Sequence, residues 1–419
     1  MRVLLIILYL LTIGFGWWLR YLNLSHLRQH GAEIPAGFEE ELDSGTLLRT
    51  TDYTIDQSRL ALVESLWDTL LMLLFVFGPI LPWYDRWIAS HSTSFVGQGV
   101  LFFLVLTLVQ TITGIPFSLY NTFRIENRYG FNTMTGRLWL TDLLKSAAIG
   151  AILITLLTAG ALAIVRWSPH FWWLWVWGFF LVVSLFLMYI SPYVIEPLFF
   201  KFGPVTAEGL EDEIKAMMEK TGLHVSKVLQ VDASRRSRHS NAYFTGIGRV
   251  KRIVLFDTML EQMERKEILA ILAHEVGHWK KGHIWKRLVT TEAMALVACL
   301  GAYWLLKWPG LPTLAGLGDP SFCARLVILA LIGSIVTFPL TPITSHRSRR
   351  HEEEADRFAV ELSGMPAALA TALIKLSREN LANLHPHPLY AKFYYSHPPI
   401  VGRVAALREM QSAAPNNTP

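Results

Sequence analysis

The sequence predicts a mainly α, polytopic membrane protein with seven transmembrane helices and a smaller α+β part gathered at one membrane face. Three observations carry that prediction. The 419 residues are 52% apolar and only 17% charged, with 15 Trp and 23 Phe, a balance tilted toward lipid. The apolar residues fall into seven blocks, each near the roughly 20 residues a helix needs to cross about 30 Å of hydrocarbon. Two longer polar stretches occupy the second half of the chain, one after the fifth block and one after the seventh.

The blocks are Val3–Leu22, Leu60–Trp83, Val96–Tyr120, Leu144–Trp167, Phe171–Pro192, Leu288–Trp308 and Cys323–Thr344. Most end in aromatic or basic residues, as helices do where hydrocarbon meets water. The first opens MRVLLIILYLL like a secretory signal. Its apolar stretch is long, however, it lacks an evident small-residue cleavage site, and WWLRY closes it like an interface anchor, so a retained helix is expected. The chain accordingly divides into spans one to five with their loops (1–192), a polar catalytic segment (193–287), spans six and seven (288–344) and a C-terminal catalytic segment (345–419).

An odd number of spans puts the termini on opposite sides, and the Lys/Arg bias chooses between the two orientations. With the N-terminus outside, the inner segments are Asn23–Arg59, Asn121–Leu143, Tyr193–Arg287 and the tail from Ser345. They carry Arg124, Arg128, Arg137, Lys280, Lys281, Lys286, Arg287, Arg347, Arg349 and Arg350, against little more than Arg86, Arg166 and Lys307 outside. Both polar stretches are therefore expected to face the cytoplasm. The net charge of +5 flanks spans and reads as topology, so no nucleic-acid partner is expected. Cys299 and Cys323 have no paired spacing, which argues against a disulfide framework or thiolate zinc ligands.

Within the first polar stretch, ILAHEVGHWKKGH (Ile271 to His283) places His274 and His278 four apart. On a helix such residues share a face. They can offer imidazoles to one tetrahedral zinc while Glu275 stands beside it to activate a water. Glu264, Glu267, Ile268, Ile271 and Leu272 form an amphipathic run, acidic at its start, with Lys280 and Lys281 at its end, which suits a helix and its dipole. Gly277 leaves room for a close approach.

A catalytic zinc needs a third protein ligand and an open position. The hairpin of spans six and seven returns the chain to the same face at SHRSRRHEEEADRFAVEL (Ser345 to Leu362). Glu352 and Asp356 are four apart there, so one can bind the metal and the other can accept the free N–H of a ligand histidine. From spacing alone His351, Glu352, Glu353 and Glu354 all compete for the ligand role. Upstream, two short strands, Ala242–Thr245 and Arg252–Phe256, are expected around a turn containing Gly246 and Gly248. Zinc peptidases hold substrate as an added strand on such an edge, and Asn241 begins it. Near the end, YYSHPPIVGRV (Tyr394 to Val404) supplies His397 and Arg403, which can stabilise an oxyanion.

These residues resemble a known family, the integral-membrane zinc metalloproteases typified by the type 1 CAAX prenyl protease. The matching stretches are FRIENRYGFNTMT, IEPLFFKFGPV, SNAYFTGIG with KRIVLFDT, LAHEVGHWKKGH, SRRHEEEAD and YSHPP. The resemblance implies a barrel of seven tilted helices around a large water-filled chamber, closed at the cytoplasmic end by a zincin-like α+β metalloprotease domain. It implies one zinc per chain held by His274, His278 and Glu352, with Glu275 as general base and Asp356 as an acid sometimes assigned as proton donor. It further implies that Asn241, His397 and Arg403 contact the peptide backbone or the developing oxyanion. Substrates would be prenylated CAAX peptides trimmed of a C-terminal tripeptide, or membrane proteins cleaved for quality control, reached through the lipid bilayer. Short loops and no obvious endomembrane retrieval signal suit a bacterial inner membrane rather than the endoplasmic reticulum. A protease that cuts inside the bilayer is disfavoured by the charged flanks EQMERKE and WKKGH. A transporter or chaperone with a structural or vestigial zinc site is the rival from another class, and it predicts a missing base or a closed four-ligand site.

Overall fold

In hydrocarbon, backbone N–H and C=O groups have no partner but each other, so every apolar block becomes a helix. The computed structural model describes residues 1–222, 224–245 and 250–413. Its seven spans are Arg2–His30, Ser44–Phe77, Phe95–Glu126, Gly136–Trp167, Trp172–Phe199, His283–Lys307 and Phe322–Ser363. All seven expected blocks are represented, and each helix outruns its block on at least one side.

The second and seventh depart most from expectation. The second starts at Ser44, where Asp43 accepts the Thr46 N–H at 2.6 Å as an N-cap. It stops at Phe77 because a wide π turn, Leu73–Phe77, runs into Gly78 and Pro79. The expected stretch up to Trp83 therefore lies in a turn and in a separate helix, Ile80–His91. The seventh passes from Phe322–Thr337 through one tight turn at Phe338–Leu340 into Thr341–Ser363. The acidic tract thus rides on a continuation of a membrane span.

Each span touches the next in sequence, and the seventh touches the first, which closes a ring. The most apolar 18-residue windows of the spans are only 0% to 17% buried. A close-packed bundle would hide far more, so each span meets its two neighbours in the ring and leaves most of its apolar window uncovered. Glu64 and Asp68 are exposed within the second span, and ionisable residues at that depth require water. A cluster containing Leu5, Phe77, Phe102, Leu162, Trp172 and Cys323 draws on the beginnings of odd spans and the ends of even ones, and so packs one end of the ring.

The polar segments gather at the other end. There a four-stranded sheet runs in the order β1 (Phe202–Pro204), β2 (His224–Val231), β4 (Val250–Phe256), β3 (Ala242–Thr245). β2 and β4 are parallel, and β3 pairs antiparallel with β4, Ala242 opposite Leu255, which among the described residues leaves the far side of β3 as a sheet edge. The expected turn at Gly246 and Gly248 lies outside the described residues. Ile253, Val254 and Leu255 are fully buried. The core beneath takes Ile268 and Leu272 from the HEVGH helix (Arg265–Lys280), Leu373 from helix Pro366–Glu379, Phe38 and Leu42 from the connection between the first two spans, and Leu47 from the first turn of the second.

A polar brace ties this lobe to the ring. Glu126, which ends the third span, accepts hydrogen bonds from Tyr53 Oη at 2.8 Å and Gln57 Nε2 at 2.7 Å on the second span, and pairs with His239 Nε2 at 3.2 Å in the lobe. His239 Nδ1 lies 2.9 Å from Asn380 Oδ1, and Phe131 stacks on the ring at 4.0 Å. Burial pushes His239 down, but bonds to Glu126 and Asn380 outweigh it and hold the imidazole above its ordinary value. A group raised in the folded state contributes stability that is fully present below its unfolded pKa, about 6.5, and is lost as pH rises through the folded value. Glu126→Gln is therefore expected to lower the melting temperature of the detergent-solubilised protein more at about pH 6 than at about pH 8.5. An equal loss at both would show that the ion pair contributes nothing.

Candidate active site

The HEVGH helix begins with a reciprocal cap in which the Glu264 N–H donates to Glu267 Oε2 at 2.7 Å. Glu267 is buried and also binds Lys375 Nζ at 2.8 Å, so the helix start is anchored in the lobe. About three turns further on, Gly277 faces the helix that continues the seventh span. A Cβ added at Gly277 would lie 2.9 Å from Ala355 Cα and 3.0 Å from its carbonyl oxygen. Backbone therefore meets backbone at this crossing, and Glu352, one turn before Ala355, reaches the two histidines.

Three donor atoms converge as a result. His274 Nε2 and His278 Nε2 are 3.1 Å apart, His278 Nε2 is 3.2 Å from Glu352 Oε1, and His274 Nε2 is 3.3 Å from Glu352 Oε2. Ligands at about 2.0–2.1 Å from a tetrahedral ion stand about 3.3 Å from one another. Glu352 Oε2 is buried and accepts no hydrogen bond. A buried oxygen without a donor, on a carboxylate whose two oxygens each face one imidazole nitrogen, fits a cation shared by all three. Among the described residues this is the one cluster of His, Cys, Asp or Glu compact enough to hold a metal ion.

His274 Nδ1 lies 2.7 Å from Asp356 Oδ1, so the carboxylate accepts that N–H and turns Nε2 toward the cluster. Arg403 grips the same carboxylate in a fork, Nε to Oδ2 at 2.8 Å and Nη2 to Oδ1 at 2.7 Å, with Nη1 at 3.6 Å from Glu352 Oε2. Burial opposes the charge on His274, but Asp356 and Glu352 outweigh it and lift the imidazole to about 9. The site favours positive charge at this point. Burial raises the Glu275 carboxyl above the usual range, against the pull of His274 and His278, which suits a base that must also release its proton. His397 Nε2 is 3.3 Å from Glu352 Oε1 with 63% of its side chain exposed, so it stands at the mouth of the site.

Two family descriptions divide the chain: the CAAX prenyl protease N-terminal region with five membrane helices over residues 23–201, and peptidase family M48 over residues 204–411. The CAAX prenyl protease 1 homolog of Arabidopsis thaliana is 34% identical over 85% of this chain and 85% of its own, and that of Homo sapiens is 32% identical over 90% and 89%. The chain belongs to the M48 peptidases of the CAAX prenyl protease 1 type. The crystal structure of S. mikatae Ste24p superposes with a TM-score of 0.90 and 28% identity, covering 97% of this chain and 98% of that one. The protein is thus an M48 membrane metalloendopeptidase, and the converging side chains lie inside its M48 region.

Of the eight residues singled out in the sequence, His274, His278, Glu352, Asp356, His397 and Arg403 come together, and Glu275 lies between the two histidines on their helix. Asn241 makes its hydrogen bonds within the sheet. Its Oδ1 accepts the Ala242 N–H at 2.8 Å and its carbonyl accepts the Phe256 N–H at 3.1 Å, which extends the β3–β4 ladder. Among the competing ligands, Glu353 points to solvent, Glu354 pairs with His283 at 3.0 Å, and His351 stacks on His283 at 4.1 Å. His283 had no role assigned from sequence, yet its Nδ1 lies 3.1 Å from His278 Nδ1.

Gly277→Ala must push the two helices apart, which in a packed contact costs about 1–3 kcal/mol. The expected outcome is folded protein with most of its bound metal lost, read by elemental analysis after detergent purification. A full metal complement would show that the crossing has slack.

Proposed function

We propose that the ion held by His274, His278 and Glu352 is zinc and that this chain cuts prenylated, CAAX-type peptides at the cytoplasmic membrane face. The observation that carries the reading is the convergence of two imidazole nitrogens and one carboxylate, with Glu275 alongside. Two nitrogens and an oxygen in a tetrahedral arrangement are a common zinc set, and three protein ligands leave a fourth position open, as catalytic sites do and structural ones do not. The names of the relatives support the substrate class.

Bound here, zinc lowers the pKa of a water and polarises a carbonyl. Glu275 takes the proton of the attacking water and hands it to the leaving amine. His397 donates to the carbonyl oxygen as it gains charge. Asp356 has both oxygens engaged with Arg403 and one of them also with His274. We therefore assign Asp356 and Arg403 to holding His274 in place, rather than to proton donation or the oxyanion. The free edge of β3, with Asn241 at its start, takes the peptide as an added strand.

The basic residues beside the spans favour a cytoplasmic site. The short loops favour a bacterial inner membrane, whereas the relatives named above are eukaryotic. A transporter or chaperone reading would need a closed site or no base, and Glu275 is present with three ligands.

Detergent-purified wild type is expected to carry about one zinc per chain and to cleave a farnesylated CAAX-type peptide. Glu275→Ala should keep the metal and lose cleavage, and Glu352→Ala should lose both. Cleavage indifferent to Glu275 would refute the mechanism. Zinc with no cleavage of this peptide would turn the substrate assignment toward misfolded membrane proteins.

A further inference from the structure

We propose that His283 and Glu354 are positioning residues for the metal, fixing His278 in the tautomer that turns Nε2 to the ion. The proposal rests on the metal reading above and adds residues to it. His283 is the first residue of the sixth span and Gly282 the hinge before it. Gly282 adopts φ 69°, in the left-handed region that glycine occupies without strain. That turn folds His283 back beneath the helix it has just left, where it is buried to 4% exposure.

The direction of the hydrogen bonds follows from the end of the chain of contacts. Glu354 Oε2 lies 3.0 Å from His283 Nε2, and a carboxylate only accepts, so His283 carries its proton on Nε2. A neutral His283 then presents a lone pair at Nδ1. His278 Nδ1, 3.1 Å away, must be the donor. The remaining nitrogen of His278, Nε2, is left with its lone pair aimed at His274 Nε2 and Glu352 Oε1. His351, stacked nearly parallel on His283 at 4.1 Å and 8°, fixes the plane of the ring that relays the order.

Both ligand histidines are thereby oriented from one helix. Asp356 acts on His274 directly and Glu354 acts on His278 through one imidazole, while Glu352 on the same helix supplies the ligand oxygen. Histidine ligands of metals commonly have their other ring nitrogen held in this way, and losing the partner typically costs 10–100-fold in metal affinity or activity.

The test uses the full-length protein in detergent, stripped of metal and titrated with zinc against a competing chelator, with cobalt substitution as a spectroscopic readout. His283→Ala is expected to weaken zinc binding by about 10–100-fold and to shift the visible absorption of the cobalt form. Glu354→Ala should weaken binding in the same direction. His283→Asn, whose side-chain oxygen can accept from His278, should recover much of the loss, and Glu353→Ala, one residue away and exposed, should match wild type. If His283→Ala lowers the melting temperature of the metal-free protein but leaves zinc affinity within about twofold and the cobalt spectrum unmoved, the pair is only structural and the proposal fails. If His283→Ala does not fold, Glu354→Ala set against Glu353→Ala decides in the same terms. Wild type that takes up no zinc would overturn the metal reading itself, a result separable from a variant that binds zinc like wild type.

Discussion

The backbone contact between Gly277 and Ala355 is the constraint on which the site depends. Side chains of histidine and glutamate are short, and the three donor atoms lie 3.1–3.3 Å from one another. Two helices separated by even one methyl group more would not present them to a common point. Each of those helices is fixed at a membrane span. The HEVGH helix enters the sixth span through Gly282, and the acidic helix is the outward continuation of the seventh. The metal site therefore sits where extensions of two neighbouring spans cross.

The ring of spans makes that crossing useful. A wall whose spans each meet two neighbours, closed by contact between the first and seventh spans, can enclose wet space at membrane depth while its outer face stays in lipid. Leu108, Ile112, Val182, Phe186, Val297 and Val336 are exposed on the spans, a state tolerable only against hydrocarbon. The lobe is locked to this wall by the Glu126–His239 brace and by Arg236, which forks onto Asp142 of the fourth span at 2.8 Å and 3.1 Å.

The spans were legible in the sequence because hydrocarbon tolerates only long apolar helices. Their ends were not, since hydropathy registers the part in lipid while the helix itself continues into water, as at Ser44 and through Thr341–Ser363. The candidate pair His274 and His278 was legible from spacing, but the carboxylate that joins them in the cluster was not: periodicity places Glu352 and Asp356 on one face without saying which face meets the HEVGH helix. The structure answers this through Ala355, the residue between them that touches Gly277. His283 was invisible for a related reason. It lies five residues after His278, off the shared face of any continuous helix, and only the left-handed turn at Gly282 brings the two rings together. Phe38 likewise gave no sign that a loop between two spans would help to fill the lobe's core.

X-ray absorption at the zinc edge of the purified protein tests the central claim most directly. The account predicts a first coordination shell of nitrogen and oxygen only, at about 2.0–2.1 Å, with outer-shell scattering from two imidazoles. A sulfur shell near about 2.3 Å, or scattering from three or more imidazoles, would contradict the ligand set of His274, His278 and Glu352 and the helix crossing that assembles it.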